Sequence, residues 1–93
     1  MTTGAIYIAD PPKARIEVPL ETLIAVFHAP SGTTHLLASP APEILATLDQ
    51  GSADADTILR RLRATHDLDA ADAREAIAAR LEELEAGGLV RRA

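Results

Sequence analysis

Residues 27–45 read FHAPSGTTHLLASPAPEIL. An apolar strand enters a turn, a second strand leaves it, and a proline-started helix follows with almost no spacer. The second strand, 33–39 (TTHLLAS), contains neither a formal charge nor a proline. Those are two of the devices by which proteins stop a sheet edge from pairing with another chain. What that edge is for becomes the question the rest of the sequence must answer.

The turn chemistry joins 22–29 (TLIAVFHA) to 33–39 as a hairpin through Pro30-Ser31-Gly32. Proline presets φ at the first central turn position, and Gly32 accepts the left-handed conformation that closes a type I turn with a bulge. In that register Ala29 faces Thr33. Ile24, Val26, Leu36 and Ala38 then share one face, and Phe27, His35 and Leu37 the other. A two-residue loop would instead set His28 opposite His35; the proline favours the first register.

Upstream, 5–9 (AIYIA) reads as a short strand stopped by Asp10-Pro11-Pro12, and 15–18 (RIEV) as another, stopped by Pro19, which cannot donate to a ladder. Downstream the pattern is helical. Ser39 is placed as N-cap of a helix over 40–49, with Glu43 near its positive end and Ile44, Leu45 and Leu48 as its apolar stripe. A second helix, 53–65, turns Ile58, Leu59 and Leu62 inward among Arg60, Arg61 and Arg63. Residues 67–69 form a turn in which Asp69 caps a third helix, 70–86, ended by Gly87-Gly88. Residues 89–92 are a short tail or a last strand.

Composition narrows the function. At 93 residues with 47% hydrophobic content, the chain is one domain over 1–93, with 1–14 as an N-terminal strand or arm. Tyr7 and Phe27 are its only aromatic residues, so Leu, Ile, Val and Ala must build the core. Nine basic against fourteen acidic residues leave a net charge of −5, which excludes bulk attraction to phosphate backbones or anionic membranes. There is no cysteine, hence no disulfide or thiolate metal site, and no segment reads as a signal peptide or membrane span. A cytoplasmic protein is expected.

No catalytic constellation stands out. His28 and His35 flank the turn, yet no cysteine or clustered carboxylate lies near them in sequence, so they read as surface or half-buried residues rather than a metal or general-base site. His66, at the end of the second helix, reads as a residue offsetting the local dipole. Ser31-Gly32-Thr33-Thr34 lacks the lysine and strand-to-helix context of a phosphate loop. No enzyme, cofactor or metal is expected.

On the third helix Ala70, Ile77, Leu81 and Leu84 form the buried stripe, while Asp72, Glu75, Ala79, Glu82 and Glu83 cover the opposite face. Arg74 and Ala78 lie on one shoulder; Ala73, Ala76 and Arg80 lie on the other. Three helices with short strands around them follow a winged helix-turn-helix plan, and a DNA-binding regulator is one alternative function. An exposed helix face bearing four acids opposes it. A structural subunit of a larger complex is the other alternative.

The run FHAPSGTTHLLASPAPEILATL, two further helices and a closing GLV together resemble the PqqD-like family. The match is nearest to the family's small branch associated with the HPr-rel-A system, in which a strand, an SG(D/T)TH turn, an HLL strand and a proline-started helix follow one another. The matching residues are Phe27-His28, Ser31-Gly32-Thr33-Thr34-His35, Leu36-Leu37, the helix from Pro40, and Gly88-Leu89-Val90. Before the hairpin, relatives commonly carry tryptophans, where this chain has AIYIADPPKARIEV. The resemblance implies an α+β fold with a winged-helix-like layout, a small antiparallel N-terminal sheet of three strands packed on a three-helix bundle. It also implies a peptide chaperone, a recognition element that binds the leader of a ribosomally made precursor peptide for separate modifying enzymes.

In such domains the leader adds as a strand to the third strand and lies against the third helix. Carried over, the edge is Thr34, His35, Leu36, Leu37 and Ala38, and the wall is Arg74, Ala78 and Leu81. Strand addition gives the uncharged edge its use. A homodimer partner through the same edge and the tail 89–92 are the other candidates to cover it.

Overall fold

The hairpin forms, but one residue away from the register its turn chemistry suggests. The computed structural model describes residues 5–64 and 70–93. Strands β1 (Tyr7–Ala9), β2 (Arg15–Pro19), β3 (Ile24–His28) and β4 (Thr33–Leu37) precede helices α1 (Ala41–Leu48), α2 (Ala55–Arg63) and α3 (Ala70–Ala86), and β5 (Val90–Arg92) ends the chain. The turn expected at 67–69, the cap assigned to Asp69 and the role given to His66 lie outside the described residues.

Across the β3–β4 turn His28 pairs with Thr33, Val26 with His35 and Ile24 with Leu37. The loop is therefore Ala29-Pro30-Ser31-Gly32. Its closing Gly32 sits at φ 68° and donates its N–H to the carbonyls of His28 and Ala29 at 2.9 and 3.2 Å. Both registers considered from sequence are corrected by this longer loop. A one-residue slip exchanges the faces of one strand relative to the other. Val26 and His28 are buried with His35 and Leu37 beside them, whereas Phe27 and Leu36 point outward with Ile16 and Val18.

The strands form two sheets. β2, β3 and β4 make an antiparallel sheet in that order, and β1 pairs with β5, Tyr7 opposite Arg92 and Ala9 opposite Val90. The closing segment is thus a strand on the far sheet. It does not cover β4.

Helix ends follow their sequence signals unevenly. α1 is capped at Pro40 without a side-chain bond, and the Ser39 hydroxyl donates to the Glu43 carboxylate instead of accepting a backbone N–H. Asp54 caps α2, its Oδ1 accepting from Thr57 N–H at 2.8 Å. α3 closes in a Schellman motif: Leu89 N–H bonds Leu84 O at 2.9 Å and Gly88 N–H bonds Glu85 O at 3.0 Å, with Gly88 at φ 82°. The core beneath both sheets is aliphatic except for Tyr7, centred on Val26, Ile44, Leu45, Ile58, Ile77 and Leu81. Arg92 stacks over the Tyr7 ring, 5.6 Å from its centroid.

Candidate functional site

The two edges of the larger sheet differ in kind. β2 ends at Pro19 and carries Glu17; β4 carries neither a proline nor a formal charge. Beside β4 runs a groove of about 430 Å³ lined by Thr34, His35, Leu36, Leu37, Arg80, Glu83, Leu84 and neighbours.

The hydrogen bonds settle which main-chain groups of β4 are free. Ala29 N–H bonds Ala14 O and Leu20 N–H bonds Leu23 O, each at 2.8 Å. In the β2–β3 register these fix residues 23, 25, 27 and 29 as turned toward β2. Alternation then turns 24, 26 and 28 toward β4, where they meet 37, 35 and 33. Thr34 and Leu36 therefore direct their N–H and C=O groups outward. Ala38 lies past the strand, and its carbonyl accepts from Ala41 N–H at 2.9 Å, so the edge stops at Leu37.

None of Arg74, Ala78 and Leu81, the wall that the resemblance implies, lines this groove. Arg74 Nη1 lies 3.0 Å from Asp56 Oδ1 on the first turn of α2, Leu81 is buried in the core at 1% exposure, and Ala78 does not line the groove. The opposite shoulder does: Arg80 Nη2 donates to Glu83 Oε2 at 2.7 Å, with Leu84 below. Helical spacing puts an arginine on each shoulder. Only the packing of α3 against α1 and α2 decides which shoulder meets β4.

A polar cluster behind the turn is absent from the sequence reading. His28, expected at or near the surface, is 3% exposed. Its Nε2 lies 2.8 Å from Asp10 Oδ2 and its Nδ1 2.8 Å from Ser31 Oγ. Asp10 also accepts from Arg91 Nη1 at 3.2 Å. The His28 hydrogen bond, against burial and with help from Arg91, holds the Asp10 carboxyl below the usual aspartate range. Arg15, paired across the strands with His28, donates to Asp49 Oδ2 at 2.6 Å and Glu17 Oε2 at 2.7 Å. Asp10 is 18 residues from His28 in sequence and meets it through the 3-10 turn Pro12–Ala14, a path no local pattern marks.

Asp10, His28 and Ser31 have the residue types of a nucleophilic triad. Yet Ser31 Oγ is engaged on both sides, by His28 and by Thr33 at 2.6 Å. The Gly32 N–H, which could have faced an oxyanion, is bonded to two carbonyls. The cluster braces the turn. Among the described residues, no group of three or more histidine or acidic side chains converges as a metal site, and no helix is long and apolar enough to cross a membrane.

These features define a class: a small α+β domain in which one sheet edge lies open beside a groove walled by the last helix. The chain belongs to the PqqD family, whose model, coenzyme PQQ synthesis protein D, matches residues 24–90. No curated protein matches the sequence. Two solved structures share the fold. TbiB1, in complex with the TbiA(beta) leader peptide, is 17% identical with a TM-score of 0.65, over 90% of this chain and 94% of that one. Lasso peptide synthetase B1, complexed with the leader peptide, is 19% identical with a TM-score of 0.63, over 91% and 96%.

Proposed function

We propose that this chain is a single, non-catalytic peptide-binding domain of the cytoplasm that takes the leader of a ribosomally made precursor peptide as an added strand on β4. It presents that peptide to modifying enzymes encoded separately. The observation that carries the reading is the open pair of main-chain donors and acceptors at Thr34 and Leu36, set beside a groove between β4 and α3. The two solved structures that share the fold are complexes with leader peptides, which supports a leader peptide as the partner. A second copy pairing through β4 would compete with the peptide for the same groups. Asp72, Glu75 and Glu82 are exposed along α3, which opposes the alternative of a DNA-recognition helix.

Proline scanning of β4 tests the reading. Leu36 is 63% exposed and its N–H points outward. Leu36→Pro should keep the parent circular dichroism spectrum and lose binding to the leader segment of a short peptide encoded beside this chain's gene. Leu37→Pro removes a donor to β3 and should unfold the hairpin. A folded Leu36→Pro variant that binds as tightly as the parent rules out strand addition here.

A further inference from the structure

The β3–β4 turn holds a continuous chain of hydrogen bonds that ends in the groove. Asp10 Oδ2 is 2.8 Å from His28 Nε2, and His28 Nδ1 is 2.8 Å from Ser31 Oγ. Ser31 Oγ is 2.6 Å from Thr33 Oγ1, which is 2.8 Å from His35 Nε2. Each hydroxyl has one hydrogen to give, so the direction of one bond sets the others. The Asp10 carboxylate, bonded also to Arg91, only accepts, and His28 Nε2 therefore carries a hydrogen. With the His28 ring neutral, Nδ1 accepts from Ser31, whose other acceptor, the His28 carbonyl, is farther at 3.4 Å; Ser31 then accepts from Thr33, and Thr33 from His35. That order places the His35 hydrogen on Nε2 and leaves Nδ1 an acceptor.

This nitrogen is not sealed from solvent. No described residue bonds it, and it is not among the sealed side-chain atoms lacking a partner, which among the described residues are Glu43 Oε1 and Arg80 Nε. The Nδ1–Cε1 edge of the ring faces Gly87, where a β-carbon would stand 3.4 Å from Nδ1 and 3.0 Å from Cε1. Glycine keeps that space clear. The charges facing the chain are Arg91 and Arg15 at Asp10, Asp49 and Glu17 at Arg15, and Arg80 and Glu83 across the groove from His35.

We propose that His35 is a specificity-determining residue of the groove, held by Asp10, His28, Ser31 and Thr33 with its hydrogen on Nε2, so that Nδ1 accepts a hydrogen bond from a donor side chain of the bound peptide. Asp10, His28, Ser31 and Thr33 are positioning residues, and the spacing His-x-x-Ser-Gly-Thr-x-His is what builds the chain. The assignment rests on the reading of the groove as a peptide site.

The test combines two measurements on the full chain, for the parent, Thr33→Val and Thr33→Ser. Nitrogen-15 NMR of the imidazoles reports the tautomer, and selection from a displayed random dodecapeptide library supplies ligands. Peptides that lose binding to Leu36→Pro count as groove ligands. The parent and Thr33→Ser should show His35 protonated on Nε2, and their peptides should enrich a donor side chain at one position. Thr33→Val should lose that tautomer preference while staying folded, and should bind the parent's peptides about 3- to 10-fold more weakly, the loss of one neutral hydrogen bond. A parent His35 carrying its hydrogen on Nδ1 overturns the assignment whatever the peptides show. Equal affinity and the same donor preference in Thr33→Val overturn the specificity role and leave the groove reading standing. If no peptide depends on the edge, the groove reading falls and the specificity role falls with it.

Discussion

Asp10 accepts hydrogen bonds from His28 and Arg91 and joins a segment that precedes the larger sheet to that sheet's central strand, β3. Its carboxyl, and that of Asp54, which accepts from Thr57 N–H at the start of α2, both lie below the ordinary aspartate value. Depressed folded-state values mean that the unfolded chain takes up protons first as the pH drops. The stability these two carboxylates contribute is therefore complete above the unfolded-state value of about 3.9 and is lost as the pH falls from there through the folded values. Asp10→Asn should flatten the acid limb of a thermal-unfolding profile taken between about pH 2 and 5. An acid limb as steep as the parent's would show that the Asp10–His28 contact contributes nothing to folding. The buried apolar residues were legible one by one, Ile44, Leu45, Ile58, Leu59, Leu62, Ile77, Leu81 and Leu84 all lying inside, because helical periodicity reports them directly. His28 was not, since its burial depends on a partner 18 residues away.

Among the elements, the strands and helices stand where the sequence places them, and the errors are of phase. Turn residues specify that a hairpin closes at Pro30 to Gly32, but a bulged and a longer loop use the same proline and glycine. The difference of one residue decides whether Leu36 or Leu37 turns inward. The third helix poses the same problem. Its stripe is legible, but its two arginine-bearing shoulders are equivalent until α1 and α2 are packed against it. Arg80→Glu should weaken an acidic groove peptide by about 1–3 kcal/mol if the guanidinium makes a charge-assisted contact with it. Arg74→Glu, at an exposed pair with Asp56, should change affinity by no more than the few tenths typical of surface charge. Titration calorimetry of the two variants separates the shoulders, and the reverse ranking would return the wall to Arg74 and Ala78.

At the scale of the whole molecule, β5 pairs with β1 rather than β4, and Tyr7 is tied further to Ala53 by N–H to O bonds of 2.8 and 3.1 Å. The tail is used in closing the far side of the core, and among the described residues nothing pairs with the outer edge of β4. That pairing was not legible in the sequence: three-residue strands such as 7–9 and 90–92 have too little pattern to choose a partner, and the long-range topology decides. The central claim is that a peptide pairs with the outer edge of β4, and amide hydrogen exchange of the complex with a dodecapeptide selected on the parent tests it most directly. In the free chain His35 and Leu37 amides should be protected by β3, and Thr34 and Leu36 should exchange fast. At saturation the account predicts that the Thr34 and Leu36 amides slow by about tenfold or more, with His35 and Leu37 little changed. Thr34 and Leu36 still exchanging at their free rates while the peptide remains bound would contradict it.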